Sequence, residues 1–207
     1  MVESPDSVLI QATLDGEESA FAELVGRYQR AVWGMVHRTL GNPAEGEDAV
    51  QEIFLRALVS LGKFDLRCPF GPWILRIAGN YCIDQLRRRR TRRYRLWSDL
   101  TESEKGSILA NMCLKPDVEN ISEEERAAYL GIARSLLDRL KPKYRVAFVL
   151  REVEGRSYEA VSEIMRVSES TARVWVHRAR AGLHKEFRRY VAASEKGTRN
   201  EQALRPV

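Results

Sequence analysis

The chain is poor in the residues from which metal and redox sites are usually made. It has three cysteines, Cys68, Cys82 and Cys113, and three histidines, His37, His177 and His184, in 207 residues. The cysteines are scattered and odd in number, with no CxxC or Cys/His spacing, so neither a zinc site nor a disulfide framework is expected. There is no glycine-rich phosphate loop, no HExxH and no G-x-S-x-G, and no catalytic residue, metal or cofactor is expected. No segment reaches the roughly 18 apolar residues that a membrane helix needs. The opening MVESPDSVLI lacks a basic stretch and a long apolar core. No signal peptide is therefore expected, and the chain reads as a reduced, cytoplasmic protein without membrane insertion of its own.

What the chain does carry is charge, and it is dealt unevenly. Charged residues make up 30% of the sequence and leave a formal net charge of +5. Residues 1–65 hold five Lys/Arg against eleven Asp/Glu, and residues 66–95 hold nine against one. Residues 96–125 hold two against eight, and residues 126–190 hold fifteen against seven. Basic blocks suit contacts to nucleic-acid phosphates. Acidic blocks suit a protein partner, a domain held away from DNA, or simply a solvated face.

The second basic block contains YRVAFVLREVEGRSYEAVSEIMRVSESTARVWVHRARAGL, residues 144–183. Ser157 is a suitable N-cap for a helix whose apolar side is Ala160, Val161 and Ile164. Arg166-Val167-Ser168 breaks that helix, with Val167 placed to plug the angle, and Ser168 or Ser170 can cap the next one. Ala172, Val176, Ala179 and Leu183 then form one inward stripe. Thr171, Arg173, Val174, His177, Arg178 and Arg180 lie on the other side. Small residues inward and donors outward are what a helix-turn-helix needs to enter the DNA major groove. An ordinary helical hairpin with a solvated basic face is the alternative.

The rest of the chain reads as all-α, in two small helical domains joined by a linker. The first occupies residues 1–95. Its stripes are Phe21 to Leu40, then Val50, Ile53, Phe54, Ala57, Leu58 and Leu61, then Trp73, Ile74, Ile77, Ala78, Tyr81 and Leu86. Residues 63–72, with Pro69, Gly71 and Pro72, read as a loop. Residues 96–124 are a polar, acidic linker whose apolar cluster is Ile108, Leu109, Met112 and Leu114. Residues 125–190 form the second domain, opened by a helix through Tyr129 to Leu140, and residues 191–207 read as a disordered tail. In the first domain, Phe64, Cys68, Pro69 and Phe70 stand close to Trp73 and ahead of an arginine-rich helix. Rings beside positive charge are what binding of unstacked bases requires. The same rings can serve as core or loop plugs, most of all Trp73 and Tyr81, which lie on an apolar stripe. Arg76, Asn80 and Arg87 sit four and seven residues apart and can share a nucleic-acid-facing side.

These segments carry a family resemblance. AFAELVGRYQ, AEGEDAVQEIFLRAL and FGPWILRIAGNYCIDQLRRRR in the first half, and LLDRLKPKYRVAFVLREVEGRSYEAVSEIM with STARVWVHRAR in the second, resemble the two domains of extracytoplasmic-function (group IV) RNA polymerase sigma factors of the sigma-70 family. The resemblance spans residues 6–95 and 124–190 in the family's order. It implies an alternative initiation factor, not an enzyme. Such a factor binds the clamp and flap regions of core RNA polymerase, directs it to promoters and is held by an anti-sigma factor. It further implies polymerase contacts at Asp48, Gln51, Glu52 and Phe54. Contacts to the −10 element are implied at Arg56, Ser60, Phe64, Cys68, Pro69, Phe70, Arg76 and Asn80. Contacts to the −35 element are implied at Arg151, Tyr158, Glu159, Arg173, Val174, His177 and Arg178.

Two positions depart from the family's usual T-V-K-S-R-L in the recognition helix. Val174 replaces a small polar residue and suits a thymine methyl rather than a hydrogen bond. Trp175 replaces an arginine expected on phosphate. Two other classes stay open: a stand-alone regulator of the LuxR type, which shares the C-terminal helix-turn-helix but needs no DAVQEIF-like helix, and a nucleic-acid enzyme, disfavoured for want of a catalytic set.

Overall fold

The computed structural model describes residues 4–41, 43–98, 131 and 133–203. Among them every regular element is helical. In order they are α1 (Asp6–Leu14), α2 (Glu18–Leu40), α3 (Pro43–Ser60), a 3-10 turn (Leu61–Lys63) and α4 (Phe70–Ser98). After a helical stretch at 133–138 come α5 (Pro142–Phe148), a π-helical segment (Val149–Val153), α6 (Tyr158–Met165) and α7 (Glu169–Ala203). The apolar cluster expected at 108–114, Cys113, and the stripe residues Tyr129 and Ile132 lie outside the described residues.

Contacts divide the described residues into two compact units. One holds the residues up to Arg88 together with Pro142–Val176. The other holds those between Arg89 and Lys141 and from His177 onward. In the first unit the stripes read from periodicity do meet, apart from Leu58, which is exposed. Leu24, Met35, Ile53 and Ile74, one or more from each of α2, α3 and α4, are fully buried. Burial of this kind contributes about 1.5–3 kcal/mol per side chain. Gly41 ends α2 with φ 73°, a left-handed cap that only glycine adopts at little cost, and its N–H reaches the His37 carbonyl at 2.9 Å. Residues 142–176 join this unit through specific contacts. Arg38 Nη2 donates to Glu154 Oε1 at 2.9 Å, and the Glu154 side chain is only 6% exposed. Arg156 Nε donates to the other oxygen of Glu154 at 3.0 Å.

In the second unit Arg139 Nη1 pairs with Glu186 Oε2 at 2.9 Å. Gly182 lies so close to Leu140 that an added Cβ would come within 2.9 Å of it.

Two boundaries differ from the sequence reading. Helix α4 starts at Phe70 rather than Trp73, because Phe70 is drawn into the core at 1% exposure and starts the apolar stripe one turn early. The tail expected to be disordered after Val191 is helical as far as Ala203. Ala192, Ala193, Glu195 and Lys196 are good helix formers there, and no proline interrupts them before Pro206.

Candidate nucleic-acid interface

Helices α6 and α7 form the expected helix-turn-helix. Ser157 caps α6, its hydroxyl accepting from the Ala160 N–H at 3.1 Å. The turn closes with Arg166 in the left-handed region at φ 50°. Ser168, not Ser170, caps α7, accepting from the Thr171 N–H at 3.2 Å. Of the inward stripe that the spacing predicts, Val161, Ile164, Ala172, Val176 and Ala179 are buried, and Ala160 and Leu183 are half-buried.

The outward side carries an arrangement that no spacing rule would have found. The Arg173 guanidinium lies 4.4 Å from the centroid of the Tyr158 ring, and that of Arg151 lies 4.7 Å from the same centroid. Contacts of this kind contribute about 0.5–1 kcal/mol at exposed sites. Arg173 is also tied to Glu169 one turn earlier, and Arg151 Nη1 donates to the Arg156 carbonyl at 2.8 Å. Two guanidiniums from different elements are thereby gathered on one tyrosine. Arg173 remains 60% exposed at its side chain and Val174 remains 45% exposed. Glu159, His177 and Arg178 are exposed, whereas Thr171 is half-buried with its hydroxyl 2.8 Å from that of Ser168.

The aromatic loop builds a different kind of site. A cavity of about 500 Å³ is walled by Asp6, Tyr28, Phe64, Cys68, Pro69 and Phe70 among others. Phe64, Phe70 and Trp73 pack mutually, with centroids 5.0–5.8 Å apart, and Tyr28 meets Phe70 edge-on at 5.1 Å. Gly71 allows that approach, since a Cβ there would come within 3.2 Å of the Tyr28 ring. Helix α1 supplies the polar wall. Asp6 accepts hydrogen bonds from the Tyr28 hydroxyl and, at 2.9 Å, from Arg27. Burial, reinforced by this bond to Asp6, pushes the Tyr28 phenol up to about 12. Cys68 is exposed at the rim. Beside it Arg67 holds the Asp65 carboxyl below its ordinary range through a side-chain hydrogen bond.

The remaining sequence-predicted −10 residues are spread along α3 and α4 and do not line this cavity. Arg56 pairs with Glu52 at 2.7 Å and lies 5.1 Å over the Tyr81 ring. Ser60 donates back to the Arg56 carbonyl at 2.6 Å. Arg76 is half-buried, and desolvation lowers its pKa from the ordinary guanidinium value. Asn80 is exposed, and Arg87 is exposed with Asp84 at 3.5 Å. Tyr81 and Trp73 are core or core-packed, as their stripe indicates.

On α3, Asp48 and Gln51 are exposed and Glu52 is half-buried. Phe54 requires a correction: it is 6% exposed, with its ring 6.4 Å from Phe21, so it braces the helix from inside and offers no outward contact. It belongs to the inward stripe with Val50, Ile53 and Ala57. The large apolar side chains that α3 does expose are Leu55 at 58%, Leu58 at 42% and Val59 at 86%, so Leu58, read from spacing as part of the inward stripe, lies outside it. Unburied large aliphatics on an acidic helix could have been marked from sequence as a contact surface.

Comparison with known proteins fits this geometry. The Sigma-70 region 2 pattern matches residues 24–92, and Sigma-70, region 4 matches residues 130–183. The sigma-E factor of Escherichia coli is 33% identical over 186 residues, covering 86% of this chain and 92% of that protein. The chain is an extracytoplasmic-function sigma factor of the sigma-70 family. SigW of Bacillus subtilis, a further member, is 29% identical over 182 residues, covering 86% of this chain and 95% of SigW. As a sigma factor the chain serves initiation by RNA polymerase at promoter DNA and is not an enzyme. Two solved structures share the fold. CnrH in complex with the cytosolic domain of CnrY has a TM-score of 0.56 at 24% identity, covering 88% of this chain and 96% of CnrH. RpoE in complex with the anti-sigma factor NepR, from Bartonella quintana, has a TM-score of 0.53 at 19% identity, covering 81% and 96%. Among the described residues no helix is long and apolar enough to cross a membrane.

Proposed function

We propose that this sigma factor divides promoter recognition between two functional domains, residues 1–95 and 125–190, joined through residues 96–124. The second reads duplex −35 DNA with α7. Arg173 and Val174 address base edges, Arg151 and Tyr158 stand beside them, and Thr171, His177, Arg178 and Glu159 complete the surface. The first melts and reads the −10 element. One unstacked base enters the cavity walled by Phe64, Phe70, Tyr28 and Asp6, while Arg56, Ser60, Arg76, Asn80 and Arg87 guide the strand along α3 and α4. The cavity's size and aromatic walls suit a stacked base. Asp48, Gln51 and Glu52, with Leu55 and Val59 in place of Phe54, dock on the clamp of the largest polymerase subunit, and the C-terminal domain meets the flap. The factor works in the bacterial cytoplasm under an anti-sigma factor, as the partner named for the RpoE structure suggests.

The observation that carries this reading is the pairing of an aromatic-walled cavity in the region 2 segment with two tyrosine-gathered arginines in the region 4 segment. Run-off transcription with purified core polymerase tests it. Promoter-specific transcripts are expected with the chain and not with core alone. A regulator of the LuxR type would leave the transcripts of core alone unchanged.

A further inference from the structure

Trp175 stands on the recognition helix where the family's usual pattern has an arginine, and the structure brings a cation to it. The Lys143 ammonium, from the first turn of α5, lies 4.8 Å from the Trp175 ring centroid and 5.4 Å from that of Tyr144. The two rings are themselves 6.5 Å apart and tilted by 54°. Trp175 is half-buried and packed against the core, so it offers Lys143 a fixed platform. Ring faces attract the charge without consuming an N–H. All three ammonium donors therefore remain to be used. Among the described residues no carboxylate pairs with Lys143, in contrast to Arg173, which is tied to Glu169.

We propose that Lys143, seated on the indole of Trp175, is a DNA-phosphate anchor flanking the −35-reading helix. The inference rests on the reading of α7 as that helix. A helix in the major groove is bordered by the two sugar-phosphate backbones, and contacts to them fix register without reading sequence. Trp175 lies on the flank of α7 between the base-facing Val174 and the buried Ala172, on the other side of the helix from Arg173. A cation delivered to that flank faces a backbone rather than a base edge. Its sign matches the Arg151 and Arg173 pair in the same unit, which favours DNA over an acidic protein segment.

The test uses the full chain assembled with core polymerase on a promoter fragment recovered by run-off transcription, with affinity measured against salt and across −35 variants. Lys143→Gln is expected to weaken binding several-fold and to lower the log–log salt slope by about 1, with the ranking of −35 sequences unchanged. Trp175→Ala should do the same, by freeing the lysine from its platform. Because Trp175 also packs on the core, the double variant Lys143→Gln with Trp175→Arg provides the control: a guanidinium at position 175 should restore the slope. An unchanged slope in Lys143→Gln overturns the proposal. So does an altered −35 ranking, which would make Lys143 a base contact, or weakened assembly with core polymerase off DNA, which would make it a protein contact. Arg173→Ala separates the two readings. If it leaves −35 discrimination intact, the −35 reading itself fails. If it abolishes discrimination while Lys143→Gln leaves the slope unchanged, only the anchor fails.

Discussion

The helix-turn-helix and the aromatic loop are built on opposite principles. In α6 and α7 the groups proposed to read DNA project from a core they do not belong to: Arg173 is well exposed while Ala172 and Val176 beneath it are buried. In the loop the groups proposed to hold a base are continuous with the core, Phe70 being 1% exposed and Phe64 packed against it. Reading a duplex edge needs donors in water, ready to replace their hydration with base atoms. Holding a flipped base needs a cavity, and a cavity needs walls that the fold itself keeps in place. Binding and stability are therefore separable in the first region and coupled in the second.

The largest expected effect follows from that coupling. Phe70→Ala removes a buried ring and should cost about 3–5 kcal/mol of stability. Urea unfolding would show it, and promoter melting should fall with it. A stable Phe70→Ala protein that has lost melting would break the comparison, because wall and core would then be independent. Arg173→Ala should cost about 1–3 kcal/mol in −35 binding and relax specificity at one position, with no more than about 0.5–1 kcal/mol of stability lost with its contact to Tyr158. Unaltered footprint protection over −35 would remove Arg173 from the interface. Phe64→Ala lies between the two regimes. Losing a stacking partner is worth about 1–3 kcal/mol per base, so permanganate reactivity of the −10 strand should drop while closed-complex formation persists. Wild-type reactivity would count against a base-holding role. The smallest effect is expected for Ser157→Ala, which removes the α6 cap and should destabilise by about 1 kcal/mol in thermal unfolding.

Much of this was legible in the chain, unevenly. The α6 cap, the inward stripe of the helix-turn-helix and the core or core-packed positions of Tyr81 and Trp73 follow from spacing and hydroxyl placement alone, whereas spacing allows either Ser168 or Ser170 to cap α7. Phe54 shows how a motif can mislead: its place beside Ile53 in an apolar stripe already put it inside, and only the resemblance of DAVQEIF to a polymerase-binding motif pointed outward. The stacking of Arg151 and Arg173 on Tyr158, and of Lys143 on Trp175, joins residues from separate helices, which helical periodicity does not register. Nor does it register the part played by α1, since the bond from Tyr28 to Asp6 spans 22 residues and depends on how two helices cross. The π-helical turn at Val149–Val153 has no compositional sign at all; it is ordinary helix-compatible sequence with one residue too many for the turn.

The ion pair between Arg38 and Glu154 links residues 116 positions apart. A ribosome adding about 5–20 residues per second needs roughly 6–23 seconds to reach the glutamate after the arginine is made. During that interval the N-terminal helices are already long enough to collapse around Leu24, Met35, Ile53 and Ile74, and must do so without the carboxylate that later sits against them. Synthesis thus sets a clock on this contact: α1 to α3 are made first, and the segment that carries Glu154 joins them only once it has been added.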